Sequence, residues 1–218
     1  NREDQDSLLR GLFMTSWLVE DFLDTNDDFG AKSCLITSAS SKTSIALAHC
    51  VRQRGRLSTV GITSQRNADF CKSVGYYDNV ILYDDVASLD AADPVVLVDM
   101  AGSAQILSDL HHHYADNMKH SCRIGATHYD EMGPVAGLPG AKPEFFFAPT
   151  HVKTRSAELG PAELMKRMGM EFVKFRSLSD EWLHIVENRG EDAVAAAYAV
   201  VLSGKADPAD GQIVSMWP

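Results

Sequence analysis

Seven residues of small or polar type, Thr37 to Thr43 (TSASSKT), separate the apolar run Cys34-Leu35-Ile36 from the apolar pattern Ile45, Ala46, Leu47, Ala48 and Val51. That order predicts a buried strand, a tight turn and a helix whose N-terminus opens above the strand. Unpaired N–H groups and the positive end of the helix dipole suit such a terminus to an anionic group, above all phosphate. The hydroxyls of Ser38, Ser40, Ser41 and Thr43 and the ammonium of Lys42 could add bonds to phosphate oxygens, with Ala39 leaving the backbone open to approach. The plainer alternative is a tight turn that binds nothing.

A second candidate lies at the end of the next apolar segment, Leu57 to Ile62. In a dinucleotide fold, an acidic residue at this point accepts bonds from the adenosine ribose when the cofactor is NAD. Here the sequence has Thr63, Ser64 and Arg66. Hydroxyls and a guanidinium suit a 2′-phosphate, which favours NADP over NAD. Against this, Arg66 could simply cap a helix or face solvent.

A third candidate follows the segment Cys122 to Ile124. Gly125, Ala126 and Thr127 lead into His128, Tyr129, Asp130 and Glu131, where a nicotinamide ring would lie. His128 or Tyr129 could donate a proton during hydride transfer. Loop residues bonding one another is the bland reading.

Other chemistries fit less well. Lys42-Thr43 resembles the end of the phosphate loop G-x-x-x-x-G-K-[ST], and Val95 to Asp99 resembles a strand ending in a magnesium-binding Asp. Both loop glycines are replaced, by Ile36 and Ser41, so a triphosphate binder ranks third. His111, His112 and His113 sit about 100° apart on a helix and cannot converge on one ion, which predicts a solvated helix end. His120 and Cys122 share a strand face without a third ligand nearby, so no metal site is expected.

These residues need a scaffold. Leu8, Leu12, Phe13, Trp17, Leu18, Phe22 and Leu23 predict an amphipathic helix ending near Thr25. After the strand-turn-helix unit come the strand Leu57 to Ile62, a short helix closed by Gly75, and a strand at Val80 to Leu82. Val95 to Val98, continuously apolar, predicts a strand buried on both faces, with Asp99 at its end. A helix over Ser103 to Tyr114 and strands at Cys122 to Ile124 and Phe145 to Phe147 complete the pattern. Beyond Pro149 helices are predicted, from Pro161 through Trp182 to Val186 and over Asp192 to Ser203, with a terminal strand Ile213 to Trp217. The alternation argues for an α/β fold: a doubly wound, mainly parallel six-stranded sheet with helices on both faces and a C-terminal helical extension. It reads as one domain over 1–218, with an N-terminal helix in 1–30 and the extension over 150–218.

Composition narrows the partners. The 218 residues carry 20 basic and 30 acidic side chains, net charge −10, with no basic run, which argues against nucleic acid. No stretch approaches a membrane span. Cys34, Cys50, Cys71 and Cys122 lack metal or disulfide spacing and suggest reduced core thiols and a cytoplasmic setting. A small-molecule ligand remains the expected partner.

With the motifs in place, the sequence resembles the cofactor-binding half of the medium-chain dehydrogenase/reductase superfamily, near its zinc-free quinone oxidoreductases. It is more similar still to an uncharacterised family related to that superfamily. The resemblance rests on FMTSWLVEDFL (Phe13 to Leu23), LITSASSKTSIALA (Leu35 to Ala48), VGITSQRNADFCKSVGYYDNVILYDDV (Val60 to Val86), VDMAGS (Val98 to Ser103), IGATH (Ile124 to His128), FFFAP (Phe145 to Pro149) and ADPADGQIVS (Ala206 to Ser215). It implies cofactor phosphates over Ser40 to Ser44, a 2′-phosphate at Ser64 and Arg66, and nicotinamide-side strand ends at Ala101-Gly102 and Gly125 to Thr127. It implies a doubly wound (Rossmann) sheet of order 3-2-1-4-5-6, NADP(H), and hydride transfer to a small carbonyl, enal or quinone. It also implies an N-terminal catalytic domain that this sequence lacks. On that expectation the piece binds without turnover, leaves Phe13, Trp17 and the terminal strand as an exposed apolar patch, and has room to form a homodimer. The competing reading is a sheet that has lost its cofactor and serves as a binding or scaffold module.

Overall fold

The computed structural model describes residues 2–125 and 137–217. Its first helix, α1 (Glu3–Thr25), leads through a short turn into β1 (Ser33–Ile36), and α2 (Lys42–Arg54) follows. The order continues with β2 (Ser58–Thr63), α3 (Ala68–Ser73), β3 (Asn79–Leu82), β4 (Val95–Asp99), α4 (Ala104–Tyr114), β5 (Met118–Arg123) and β6 (Pro143–Phe145). After β6 come α5 (Ala148–Leu159), α6 (Pro161–Ser179), β7 (His184–Arg189), α7 (Glu191–Leu202) and β8 (Asp210–Ser215).

The first six strands form one parallel sheet of order β3-β2-β1-β4-β5-β6. This is the predicted doubly wound order, with its reversal between β1 and β4. The period-two geometry of strands divides the core cleanly. Cys34 and Ile36 of β1 and Val96 and Val98 of β4 face a core shared with α1, α2 and α6. Leu35, Val95 and Leu97 face the opposite core with Leu107, Leu110 and Tyr114 of α4.

The α1 helix packs on α2 and α6 and reaches the sheet through Phe22, whose ring lies 5.5 Å from that of His120 in β5. Phe13 and Trp17 are buried, Phe13 packing on Phe172 and Phe175 of α6 at ring separations of 5.5 and 5.3 Å. The expected apolar patch therefore excludes them and consists of the other end of the chain, where Val214, Met216 and Trp217 are exposed. Asp21 ties α5 to α1: His151 Nε2 lies 2.8 Å and Arg155 Nε 2.7 Å from its carboxylate. Burial alone would raise this carboxyl, but the bonds from His151 and Arg155 outweigh it and hold its pKa below the usual range.

Several features differ from the sequence-based expectation, among them β6 at Pro143–Phe145 rather than Phe145 to Phe147 and β8 at Asp210–Ser215 rather than Ile213 to Trp217. Residues Leu183 to Val186, expected to continue a helix, instead run into β7, because residues 210–215 supply a parallel partner, His184 opposite Asp210 through Arg189 opposite Ser215. β5 begins at Met118, four residues before the expected Cys122, since Lys119 points to solvent while Met118 and His120 are buried. His111 is not solvated: it is fully buried, Nδ1 2.9 Å from Pro139 O and Nε2 2.9 Å from Ser121 Oγ. Two polar partners on opposite sides let the ring leave water, and burial lowers its pKa.

The four cysteines are free and buried, and burial raises their thiols, Cys71 to about 11. No helix among the described residues is long and apolar enough to cross a membrane.

Candidate functional site

The site begins where β1 stops. Thr37 continues the strand into a turn whose second residue, Ser38, takes a left-handed backbone (φ 47°), and α2 starts at Lys42 with Ser41 as its cap. Ser41 Oγ accepts the Ser44 N–H at 3.1 Å, and the Ser41 carbonyl accepts the Ile45 N–H at 2.9 Å. Ser44 is wholly buried, its hydroxyl donating to Thr37 O at 2.9 Å. In a glycine-rich turn the third glycine permits close helix-to-strand packing. Here a small side chain fills that space and hydrogen-bonds across it, which explains how the turn does without glycine.

The neighbouring turn residues are equally placed. Ala39 is buried, its N–H bonded to Ile62 O and its carbonyl accepting the Tyr77 hydroxyl at 2.7 Å. Ser38 N–H donates to the Tyr83 hydroxyl at 3.0 Å, and Ser40 Oγ accepts from Asn67 Nδ2 at 2.9 Å. Thr43 gives its carbonyl to Ser16 of α1. Tyr77, Tyr83 and Asn67 escaped the sequence reading, because only the sheet brings residues following β2 and β3 to the end of β1.

Across the reversal point, Asp99 ends β4 at 1% exposure. Its Oδ1 accepts from Thr37 Oγ1 at 2.7 Å and from the N–H groups of Ala101 and Gly102 at 3.0 and 3.2 Å. Thr37 Oγ1 in turn accepts from Met100 and Ala101 N–H. Gly102 needs its glycine, with φ at 76°. Oδ2 of Asp99 has no hydrogen-bond partner among the described residues and forms an ion pair at 4.0 Å with Arg123 Nε, which likewise has no hydrogen-bond partner among them. Gly125 closes this corner: its N–H points to Asp99 O at 3.4 Å, and a Cβ there would sit 3.3 Å from Met100 O. Ala126, Thr127, His128 and Tyr129 lie outside the described residues.

The two cations singled out for phosphate are both engaged. Lys42 Nζ donates to Pro208 O at 3.1 Å and to Asp210 O at 2.7 Å, and burial lowers its pKa against the pull of Asp210 and Asp207. Arg66 donates to Gly204 O, Lys205 O and Ala206 O at 3.0, 2.6 and 3.4 Å. Ser64 precedes Arg66 without a side-chain cap bond and accepts Asn67 N–H at its carbonyl. The carboxyl ends of β1 and β4 thus gather Ser38 to Thr43, Ala101, Gly102 and Gly125, with Ser64 and Arg66 at the end of β2. Among the described residues, no group of three or more His, Cys, Asp or Glu side chains could hold a metal ion.

Over residues 1–207 the sequence matches the model of a family described as "Protein of unknown function (DUF2855)". The chain belongs to that family. No curated protein matches it. Among solved structures it is similar to CurA of Vibrio vulnificus in complex with NADPH, at TM-score 0.64 and 11% identity, covering 93% of this chain and 62% of that one. YhdH of E. coli K-12 with bound NADPH gives TM-score 0.60 at 13% identity, over 93% and 61%. A putative NADPH:quinone reductase of Mesorhizobium loti gives 0.57 at 11%, over 91% and 58%. At such identities the likeness is one of fold. It matches the resemblance read from the sequence, and the chain spans about three fifths of the length of these neighbours.

Proposed function

We infer that this chain is the NADP(H)-binding domain of a zinc-independent oxidoreductase acting on a small carbonyl, enal or quinone. The observation that carries the reading is the N-terminus of α2, capped by Ser41 and opening at the β1/β4 reversal of a sheet shared with NADPH-bound proteins. Ligands of doubly wound sheets bind at that crevice.

The residues present fit the group. With Ser44 and Ile45 N–H satisfied by Ser41, the earlier N–H groups of the first turn, on Lys42 and Thr43, suit the pyrophosphate. Ser64 and Arg66 flank the place of the 2′-phosphate. Asp99 Oδ2, ion-paired with Arg123 but without a hydrogen-bond partner among the described residues, offers an acceptor to a donor of the bound group. When bound, the cofactor supplies hydride. The chain's own residues hold and orient it: the Thr37–Asp99 bonds fix residues 100–102 against the crevice, and His128 or Tyr129 would hold the proton that substrate reduction consumes. Residues that shape the substrate cleft would come from a further domain, by analogy with the longer neighbours, and a homodimer is a further part of this proposal.

The engagement of Lys42 and Arg66 by backbone carbonyls favours a second reading, a binding module without turnover. Calorimetric titration of NADPH and NADH separates the two. Saturable NADPH binding, tighter than NADH, is expected, and heat-silent titration of both would overturn the cofactor reading in favour of the module.

A further inference from the structure

Lys42 and Arg66 come from different βα units, yet both reach one short segment, residues 204–210 between α7 and β8. That segment is itself ordered by Asp207, whose carboxylate accepts Ala209 N–H at 2.9 Å and whose carbonyl accepts Asp210 N–H at 3.0 Å. The Asp207 turn therefore aims Pro208 O and Asp210 O at Lys42, while the residues just beyond α7 present the Gly204, Lys205 and Ala206 carbonyls to Arg66. A lysine ammonium has three donors, and two are taken here. The Arg66 contacts use both terminal nitrogens. A phosphate that draws fully on these cations competes with the carbonyls for their donors.

We propose that residues 204–210 are a strap over the dinucleotide crevice, held by Lys42 and Arg66 and released when the phosphates of a dinucleotide take over those two cations. This rests on the NADP(H) reading above and adds regulation of the same site. The exchange is favourable because phosphate places a full negative charge opposite each cation, where a carbonyl offers only a dipole. Because β8 begins at Asp210, the last residue of the strap, and pairs with β7, release at 204–210 would also act on the β7–β8 pair. Cofactor occupancy and the position of this unit are then linked, each opposing the other at the same two side chains.

The test uses amide hydrogen exchange across the full chain with and without saturating NADPH, together with calorimetry on wild type and Asp207→Ala. Asp207 is exposed and lies outside the proposed binding residues, and its loss undoes the turn that aims the carbonyls. Expected are faster exchange at the amides of Gly204, Lys205, Ala209 and Asp210 on binding, and several-fold tighter NADPH binding by Asp207→Ala. Tight NADPH binding with unchanged or slower exchange at 204–210 would overturn the strap and leave the cofactor reading standing. Absence of NADPH binding in both proteins would overturn the cofactor reading, and the strap with it. Should Asp207→Ala fold poorly, the exchange comparison on wild type alone decides.

Discussion

Thr37 and Asp99, 62 residues apart, share a 2.7 Å hydrogen bond that joins the ends of the parallel strands β1 and β4 at the point where the strand order reverses. Both side chains are essentially without exposure, and the same Thr37 oxygen accepts two backbone N–H groups from residues 100 and 101. Thr37→Val keeps the shape but removes the hydroxyl that bonds Asp99 and the residue 100 N–H, while Ala101 N–H keeps Asp99 Oδ1. We expect a loss of about 1–3 kcal/mol in urea unfolding, the cost of buried groups left unsatisfied. Thr37→Ser, which keeps the hydroxyl, should lose less. Equal losses for both would show that the methyl group rather than the hydrogen bonds matters.

Gly61 of β2 faces Tyr77, and a Cβ there would meet the ring at 2.8 Å and Ala39 Cβ at 3.0 Å. Tyr77 cannot easily withdraw, being buried and bonded to Ala39 O. Gly61→Ala should destabilise by about 1–3 kcal/mol, the usual range for overpacking. Pairing it with Tyr77→Leu should recover part of that loss in thermal melts. No recovery would mean that the strain lies elsewhere.

His49 is buried against Phe175 and Tyr76 with neither ring nitrogen hydrogen-bonded among the described residues. Burial lowers its pKa to about 4 from an ordinary 6.5. For a base depressed in the folded state, the unfolded chain takes up the proton first. Its contribution is therefore complete above about pH 6.5 and is lost as pH falls towards 4, ~3 kcal/mol in all. His49→Leu should be as stable as wild type or more so at pH 7. The difference between the two proteins should widen in favour of the leucine variant down to pH 4. Parallel stability curves across that range would remove His49 from the acid sensitivity.

Ser41→Asp separates fold from binding. Aspartate caps helices as well as serine does, so the melting temperature should hold. A carboxylate beside the first-turn N–H groups should repel phosphate and weaken NADPH binding at least ten-fold in calorimetry. Unchanged affinity would take the α2 turn out of the binding site.

What the sequence determines here is local. An apolar run, a small-residue turn and a helical period lie side by side in residues 34–51, so their order and the Ser41 cap follow from neighbours in the chain. The parallel order follows from the same βα alternation. Tertiary structure decides wherever a residue's partner is distant. Leu183 to Val186 have a pattern compatible with helix or strand, and only the partner strand at residues 210–215 selects strand. His111 reads as one of three polar side chains until Ser121 and Pro139 are brought to it from β5 and the loop before β6. Lys42 and Arg66 could be recognised as cations near phosphate-binding turns. Their bonds to carbonyls more than 130 residues away could not, because backbone carbonyls are present at every position and carry no sequence signature.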